Sequence, residues 1–447
     1  MARKSTNHLL RALLTEAGWS AADLSRAVNA LGDLHGMSLR YDRTAVAHWL
    51  AGSRPRPEVA GLVAQALSRH VGRLVTSADT GLVSTGGAGM PVASVLTVRE
   101  PVKRLGLLCR MDSEPAGRAV LDRSVVCAVP PALPRWGTGP RLACPAGRGR
   151  RRATEADADR LETMAAFTAL MCERYGGAHG RSALALFLAE DVTTLLTAPA
   201  RPPVRRAVLT GAGHLTLLLG NMTYEVGRPA LAQQYHTLAL EFAHAAEDRA
   251  AYTITLRCMS LQAHRLGDRR QAVAWGNAAV ELADADVPHA VRAFAHAGRA
   301  VVRAGGGSRR AVADLTAAER HLARATGAEG AFTSYPEAAL RYQRAEALSL
   351  LGDRAEGRAE LEASLTRRPA DHHRARALLH ARLARALLAD HEVEAAVAHA
   401  HDFLDHYQRL ARGSAHGVPG SLLREFTPYR RIASAKALRE RLRATAP

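Results

Sequence analysis

The sequence predicts an all-α protein in three parts: a small helical domain over residues 1–75, a linker over 76–152, and a long array of helix pairs from residue 153 onward. Three observations carry this. Four short amphipathic segments stand in the first 75 residues. Gly, Pro and Ser collect at 81–91 and again at 130–150. From Glu155 almost to the end, Ala and Leu recur with helical period and no strand signal intervenes.

Asn7 to Ala17 reads as the first helix, with Leu9, Leu10, Leu13 and Leu14 as its apolar face and Gly18 as its stop. Ser20 caps a second, Ala21 to Leu31, in which Leu24, Ala27, Val28 and Leu31 keep helical spacing. The third, Tyr41 to Gly52, has its start signal in Asp42 and its stop signal in Gly52, and it turns Val46, Trp49 and Leu50 to one side. R-P-R-P at 54–57 then breaks the chain. Glu58 to Leu67 begins a fourth helix with Val59, Leu62, Val63, Ala66 and Leu67 inward. Such a set with a basic excess fits a helix-turn-helix domain of the repressor type, in which one helix lies in the major groove of double-stranded DNA.

The third helix is the candidate reader. Opposite Val46 and Trp49 it carries Arg43, Thr44, Ala47 and His48. A bidentate Arg on guanine is the commonest specific contact, so Arg43 leads the set. Thr44 and His48 offer polar contacts that solvation explains equally well. Arg54 and Arg56, just past the helix end, are placed to hold phosphate and set register without reading bases. Trp49 is assigned to packing.

These residues resemble the recognition segment of the xenobiotic-response-element family of regulators. Val46, Trp49 and Gly52 match its apolar, aromatic and turn positions, and Leu24 and Val28 match the apolar pair of its scaffold helix. The chain departs from the pattern twice. Ala21 and Ala22 stand where the family has a polar phosphate contact, and Gly32 to Arg40 replaces a tight turn.

Within 76–152, Val95 to Asp112 has enough apolar residues for one short helix, and R-G-R-R-R at 148–152 is either a second, non-specific grip on DNA or a solvated cluster. Beyond it, Asp157 to Tyr175, Arg181 to Leu196 and Val204 to Gly220 form leading helices. Turn residues then recur at Gly227, Gly267, Gly306, Gly352 and Asp390, at intervals of 40, 39, 46 and 38. Five residues after each comes a small side chain, Ala232, Ala272, Ala311, Gly357 and Ala395; twelve after the first four comes Ala239, Ala279, Ala318 or Ser364. Small residues there let the second helix of a pair lie close against the first. The pattern resembles the tetratricopeptide repeat, which implies an α-solenoid over 153–412 with a concave surface for a peptide or protein ligand. Tyr224, Tyr235, Tyr252, Trp275, Tyr335, Tyr342 and Tyr407 read as helix packing. Ser421 to Ala444 reads as a basic capping helix within 413–447.

The formal charge of +18 suggests a polyanionic partner, but 57 of the 60 basic residues are Arg, a bias that weakens the bulk figure. Its location is more telling: the first 152 residues hold +12 of it. Five Cys in no ligand spacing, no secretory signal and no apolar run long enough for a bilayer point to a cytoplasmic, nucleoid-associated protein without a membrane partner. An enzyme finds no support. Gly305, Gly306 and Gly307 precede no Lys-Ser or Lys-Thr, and His372 with His373 and His399 with His401 lack the neighbours of a metal site, so no cofactor or metal is expected.

Reader, Pro-rich segment, the stretch M-A-A-F-T-A-L-M-C-E-R-Y-G-G-A-H-G-R-S-A-L at 164–184 and the repeats together are similar to an actinobacterial regulator family, among whose members is a negative regulator of Streptomyces differentiation. The resemblance implies repression of developmental or secondary-metabolite genes, and operator binding implies a homodimer. The rival expectation is an interaction scaffold that binds no specific DNA.

Overall fold

The computed structural model describes residues 6–34, 37–71, 75, 77, 79–82, 100–124, 136–137, 151–283, 286–326 and 335–445. Among them every regular element is a helix, and none is long and apolar enough to cross a membrane.

Four helices form the first unit: α1 (His8–Ala17), α2 (Ala21–Leu34), α3 (Arg43–Leu50) and α4 (Pro57–Val71). The first three start where their end groups find a side-chain partner. The Asn7 side chain accepts from Leu10 N at 3.0 Å, and Ser20 and Asp23 cap α2 reciprocally. The core gathers Leu10, Leu13, Leu24, Val28, Val46, Trp49, Val63 and Leu67. It also takes in Val75 and Leu82, and Asn7 Nδ2 donates to Thr80 O at 2.9 Å. This unit therefore reaches Leu82, past the residue-75 boundary that composition suggests.

The segment expected as a linker is partly built into the second unit. In place of one short helix stand α5 (Pro101–Ser113) and α6 (Pro115–Ser124). Val102, Leu105, Leu108, Cys109 and Leu121 are buried in the large core of the helices that follow, and Arg104 Nη2 donates to both carboxylate oxygens of Glu241. The Pro and Gly clusters at either end make the segment read as a linker, although the expected helix and a second one after it pack into the core. Trp136 packs edge-on to Tyr252. Residues 83–99, 125–135 and 138–150, with most of the basic run, lie outside the described residues; Arg151 pairs with Asp157.

Next come α7 (Glu155–Tyr175), α8 (Arg181–Phe187), a π-helical turn at Leu188–Val192, α9 (Thr193–Thr197) and α10 (Pro202–Glu225). Leu184, Leu188, Val192 and Leu196 recur every four residues and are all buried; the wider π turn keeps them on one face where a 3.6-residue period would drift. From α10 the chain runs as five pairs: α10 with α11 (Pro229–Ala245), α12 (Arg249–Arg265) with α13 (Arg269–Leu282), α14 (His289–Ala304) with α15 (Arg310–Leu322), α16 (Glu337–Leu351) with α17 (Arg354–Thr366), and α18 (His373–Ala389) with α19 (Val393–Tyr407).

All five turns close alike. Arg228, Asp268, Ser308, Asp353 and Glu392 donate their N–H to the carbonyl five residues back, at 2.9–3.1 Å. The left-handed residues before them are Gly227, Gly267, Gly307, Gly352 and His391. The sequence register of Gly306 and Asp390 is thus one residue early. The same shift corrects the small residue of the last pair: Ala395 is exposed and Ala396 is fully buried. Ala232, Ala272, Ala311, Gly357, Ala239, Ala279, Ala318 and Ser364 are buried as the spacing requires; at the fifth pair Phe403 takes the second site. The C-terminal segment is two helices, α20 (Val418–Glu425) and α21 (Ala433–Thr445), where one was expected. Pro428, which has no N–H to donate, lies in the break, and Phe426 fills the core there.

The array does not end open. Ala411 N donates to Tyr175 O at 2.8 Å, His416 N to Glu225 O at 3.1 Å, and Ala178 N to Ser414 Oγ at 3.0 Å. Arg374 on α18 pairs with Glu225 on α10 and Glu173 on α7, and Arg174 with Asp371. The last pair thus clasps the first, and the array of pairs closes into a ring. This gives the Arg174–Gly177 and His179–Arg181 segment its physical role. At Gly176, with φ +82, an added Cβ would sit 2.3 Å from Ser414 Oγ, so only glycine admits the clasp there. Arg181 is buried and bidentate on Asp112 at 2.5 and 2.9 Å, and Tyr235 OH donates to the same carboxylate, tying α5 to α8 and α11.

Candidate nucleic-acid interface

The candidate reader helix α3 is held from three sides. Asp42, extended at its N-cap, accepts from Ala45 N at 2.9 Å, and Gly52 at φ +96 ends it with Ser53 N on His48 O. Val46 is fully buried and Trp49 is 4% exposed; Tyr41 meets the Trp49 ring edge-on at 5.1 Å. Asn7 N donates to Leu50 O, so α1 starts from the end of α3.

The connection that departs from the family pattern is also pinned. Asn29 on α2 exchanges two hydrogen bonds with Tyr41, Nδ2 to its carbonyl at 2.8 Å and Oδ1 from its N–H at 2.9 Å. Met37 N donates to Gly32 O, and Leu39 packs so close to Gly32 that an added Cβ would stand 2.6 Å from Leu39 Cδ1. A longer loop is thereby fixed by its own two contacts. Neither Asn29 nor Leu39 has a sequence signal that marks this use; both are read only once the helices are placed.

Arg43, Thr44, Ala47, His48, Arg54 and Arg56 are all exposed. The structure brings the first four to one outward face of α3 and the last two to the turn leading into α4. Among the described residues, Arg43, Arg54 and Arg56 are in no ion pair. The Asp42 carboxyl is held below its usual range first by the Ala45 N–H, against the cost of burial, and then by the Thr44 hydroxyl and N–H. Thr44 is therefore occupied with its own helix start, which favours its structural reading. Ala21 is half-buried and Ala22 exposed; the polar group at that helix start is Asp23, paired with Arg26.

The ring also holds a cluster of arginines against aromatic rings. Arg382 pairs with Glu346 at 2.9 Å and lies over the Tyr342 ring at 4.3 Å; Arg265 lies over Tyr224 at 5.9 Å, and Arg257 over Phe294 at 3.8 Å. Burial works against the Glu346 charge, but Arg382 and Arg265 hold its carboxyl below the usual range. Side chains of α10, α12, α16 and α18 thus meet in one cluster of guanidinium groups, tyrosine rings and the Glu346 carboxylate. Tyr235, Tyr252, Trp275 and Tyr335 are buried as packing; Tyr224, Tyr342 and Tyr407 are half-buried, and the first two face cations.

The histidines pair differently from their order in the chain. His399 faces His380 on the preceding helix, and His401 meets Arg441, while His373 meets His406. Cys109, Cys172 and Cys258 are free thiols; burial pushes Cys172 up to about 12.

Residues 10–83 match the family model described as the SP15 N-terminal domain. The matched stretch coincides with the first helical unit and, like it, runs to the neighbourhood of Leu82. No curated protein matches the chain.

Proposed function

We propose that this protein is a sequence-specific, DNA-binding transcriptional regulator, a repressor of developmental or secondary-metabolite genes. Its reader is then a helix-turn-helix of the xenobiotic-response-element type, and its ring a tetratricopeptide-like interaction domain. The observation that carries the reading is the outward face of α3: Arg43 and His48 stand exposed on a helix whose other face is fixed by Val46 and Trp49, with Arg54 and Arg56 beside its end. A rigid short helix with free cations at one edge suits a major groove, and flanking Arg residues suit its phosphates. A homodimer would present two such helices about one turn of DNA apart. A peptide or protein segment is the ligand class that such a repeat domain implies.

The test is capture of genome fragments by the full chain at fixed physiological salt, repeated with an Arg43→Ala, His48→Ala variant. Discrete fragments that the variant loses are expected. Uniform, salt-labile capture that the variant keeps would discard the reading and leave the interaction scaffold in its place.

A further inference from the structure

Two helix pairs of the ring repeat one another in their histidines. Adding 84 to His289, Arg292 and His296 of α14 gives His373, Arg376 and His380 of α18; adding 85 to His321 of α15 gives His406 of α19. The contacts repeat as well. His289 Nδ1 meets His321 Nδ1 at 3.1 Å and His373 Nδ1 meets His406 Nδ1 at 3.0 Å, while His296 stacks on His321 and His380 on His406 at 5.5 and 5.6 Å.

One tier further along, the two pairs part. In the α14/α15 pair the position holds Asp314, buried and neutralised by Arg299 at 2.6 Å and Arg303 at 2.8 Å. Its equivalent in the α18/α19 pair is His399, and the two arginines are replaced by Leu383 and Leu387. An acidic residue enters instead at Asp402. The cations that complete the first cluster have no counterpart in the second.

What remains there is a convergent set of donors. His380 Nδ1 lies 3.0 Å from His399 Nδ1 and 3.4 Å from Asp402 Oδ2, and His399 Nδ1 lies 3.9 Å from the same oxygen. Donors on a tetrahedral Zn2+ with bonds of about 2.0–2.2 Å stand about 3.3–3.6 Å apart, so these three atoms fall near three corners of one coordination shell. Among the described residues no other group of three His, Cys, Asp or Glu has such convergence.

We propose that His380, His399 and Asp402 bind a divalent transition metal, Zn2+ by the character of the donors, and that the ion ties α18 to α19. Two imidazoles and one carboxylate leave a fourth position for water. His380 is 7% exposed while Asp402 is 53% exposed, so the ion enters from the Asp402 side. Arg376 does not compete for the donors: its Nε donates to His406 Nε2, and its Nη1 to the carbonyls of Leu365 and Arg368.

The experiment is titration of the metal-stripped full chain with Zn2+, and with Co2+ followed by its visible spectrum. One ion per chain is expected, with the strong bands of four-coordinate cobalt. His399→Ala lowers the affinity at least 100-fold and Asp402→Asn at least tenfold, whereas His321→Ala, in the sister pair, stays within twofold. Asp402 is at the surface, so Asp402→Asn keeps the test valid if the histidine variant unfolds; for it, the Zn2+-dependent rise in unfolding temperature also disappears. Absence of stoichiometric binding, six-coordinate cobalt, affinity kept by both site variants, or an equal loss in His321→Ala would each overturn the proposal.

Discussion

The first helical unit and the ring spend their arginines in opposite ways. In the ring, Arg104, Arg181, Arg299, Arg303, Arg374 and Arg382 lie part-buried or buried on carboxylates and serve to join helices. Around α3 the arginines stand exposed, and Arg43, Arg54 and Arg56 have no acidic partner among the described residues. A count of charges therefore says little about binding by the ring and much about binding by the first unit. Charge already paired inside a fold offers nothing to a phosphate.

The contrast can be broken most directly at Asp112. Asp112→Ala strands buried Arg181 and Tyr235 OH, and the ring should lose about 3–5 kcal/mol, since a buried charge left without its partner is costly. Unfolding followed at Trp136 and Trp275 should move while the transition at Trp19 and Trp49 stays put. A shift of both transitions would mean that the contact of α4 with α6 couples the two units.

Acid should separate them as well. Burial holds His236 down to about 4, so between roughly pH 6.5 and 4 the unfolded ring binds a proton that the folded ring does not. Ring stability then rises with pH across that window and is lost as pH falls, on the order of 1 kcal/mol per pH unit. In the first unit the shifted groups among the described residues are Asp23 and Asp42, both lowered carboxylates, whose contribution is kept until pH falls below the usual carboxylate range. Its urea midpoint should stay flat down to about pH 4. A ring without a slope would refute the linkage.

Two smaller changes sharpen the picture within the first unit. Asn29→Ala removes both bonds to Tyr41 and should cost that unit about 1–2 kcal/mol, with weaker DNA capture and an unchanged ring. Arg54→Ala and Arg56→Ala should leave stability within about 0.5 kcal/mol and each reduce the salt dependence of DNA binding by about one ion. An unaltered salt slope would remove both residues from the interface.

Helix periodicity made much of this legible. Val46 and Trp49 against Arg43 and His48 could be assigned to opposite faces from spacing alone, and the turn glycines gave four of the five pair junctions to within a residue. At the fifth, His391 adopts the left-handed conformation, and a non-glycine there leaves no mark in composition. The helix around Leu105, Leu108 and Cys109 is expected from its apolar residues, but its place in the ring's core is not, because the proline- and glycine-rich stretches on either side read as a linker. Long-range partners were invisible for a different reason. Asn29 with Tyr41, Arg181 with Asp112, and His380 with His399 each join residues whose relation exists only after the helices pack.

The clasp between Ser414 and the Gly176 turn has a consequence for how the chain comes to be folded. Its contacts span some 240 residues, so the ring carries a loop-closure cost that an open stack of pairs avoids, and closure belongs late in folding. The first unit has no such dependence, because Asn7 finds Thr80 within the same short stretch. On a ribosome, α1 to α4 can be complete while Tyr175 still awaits Ala411. The unit with the exposed arginines is then complete before the ring has closed.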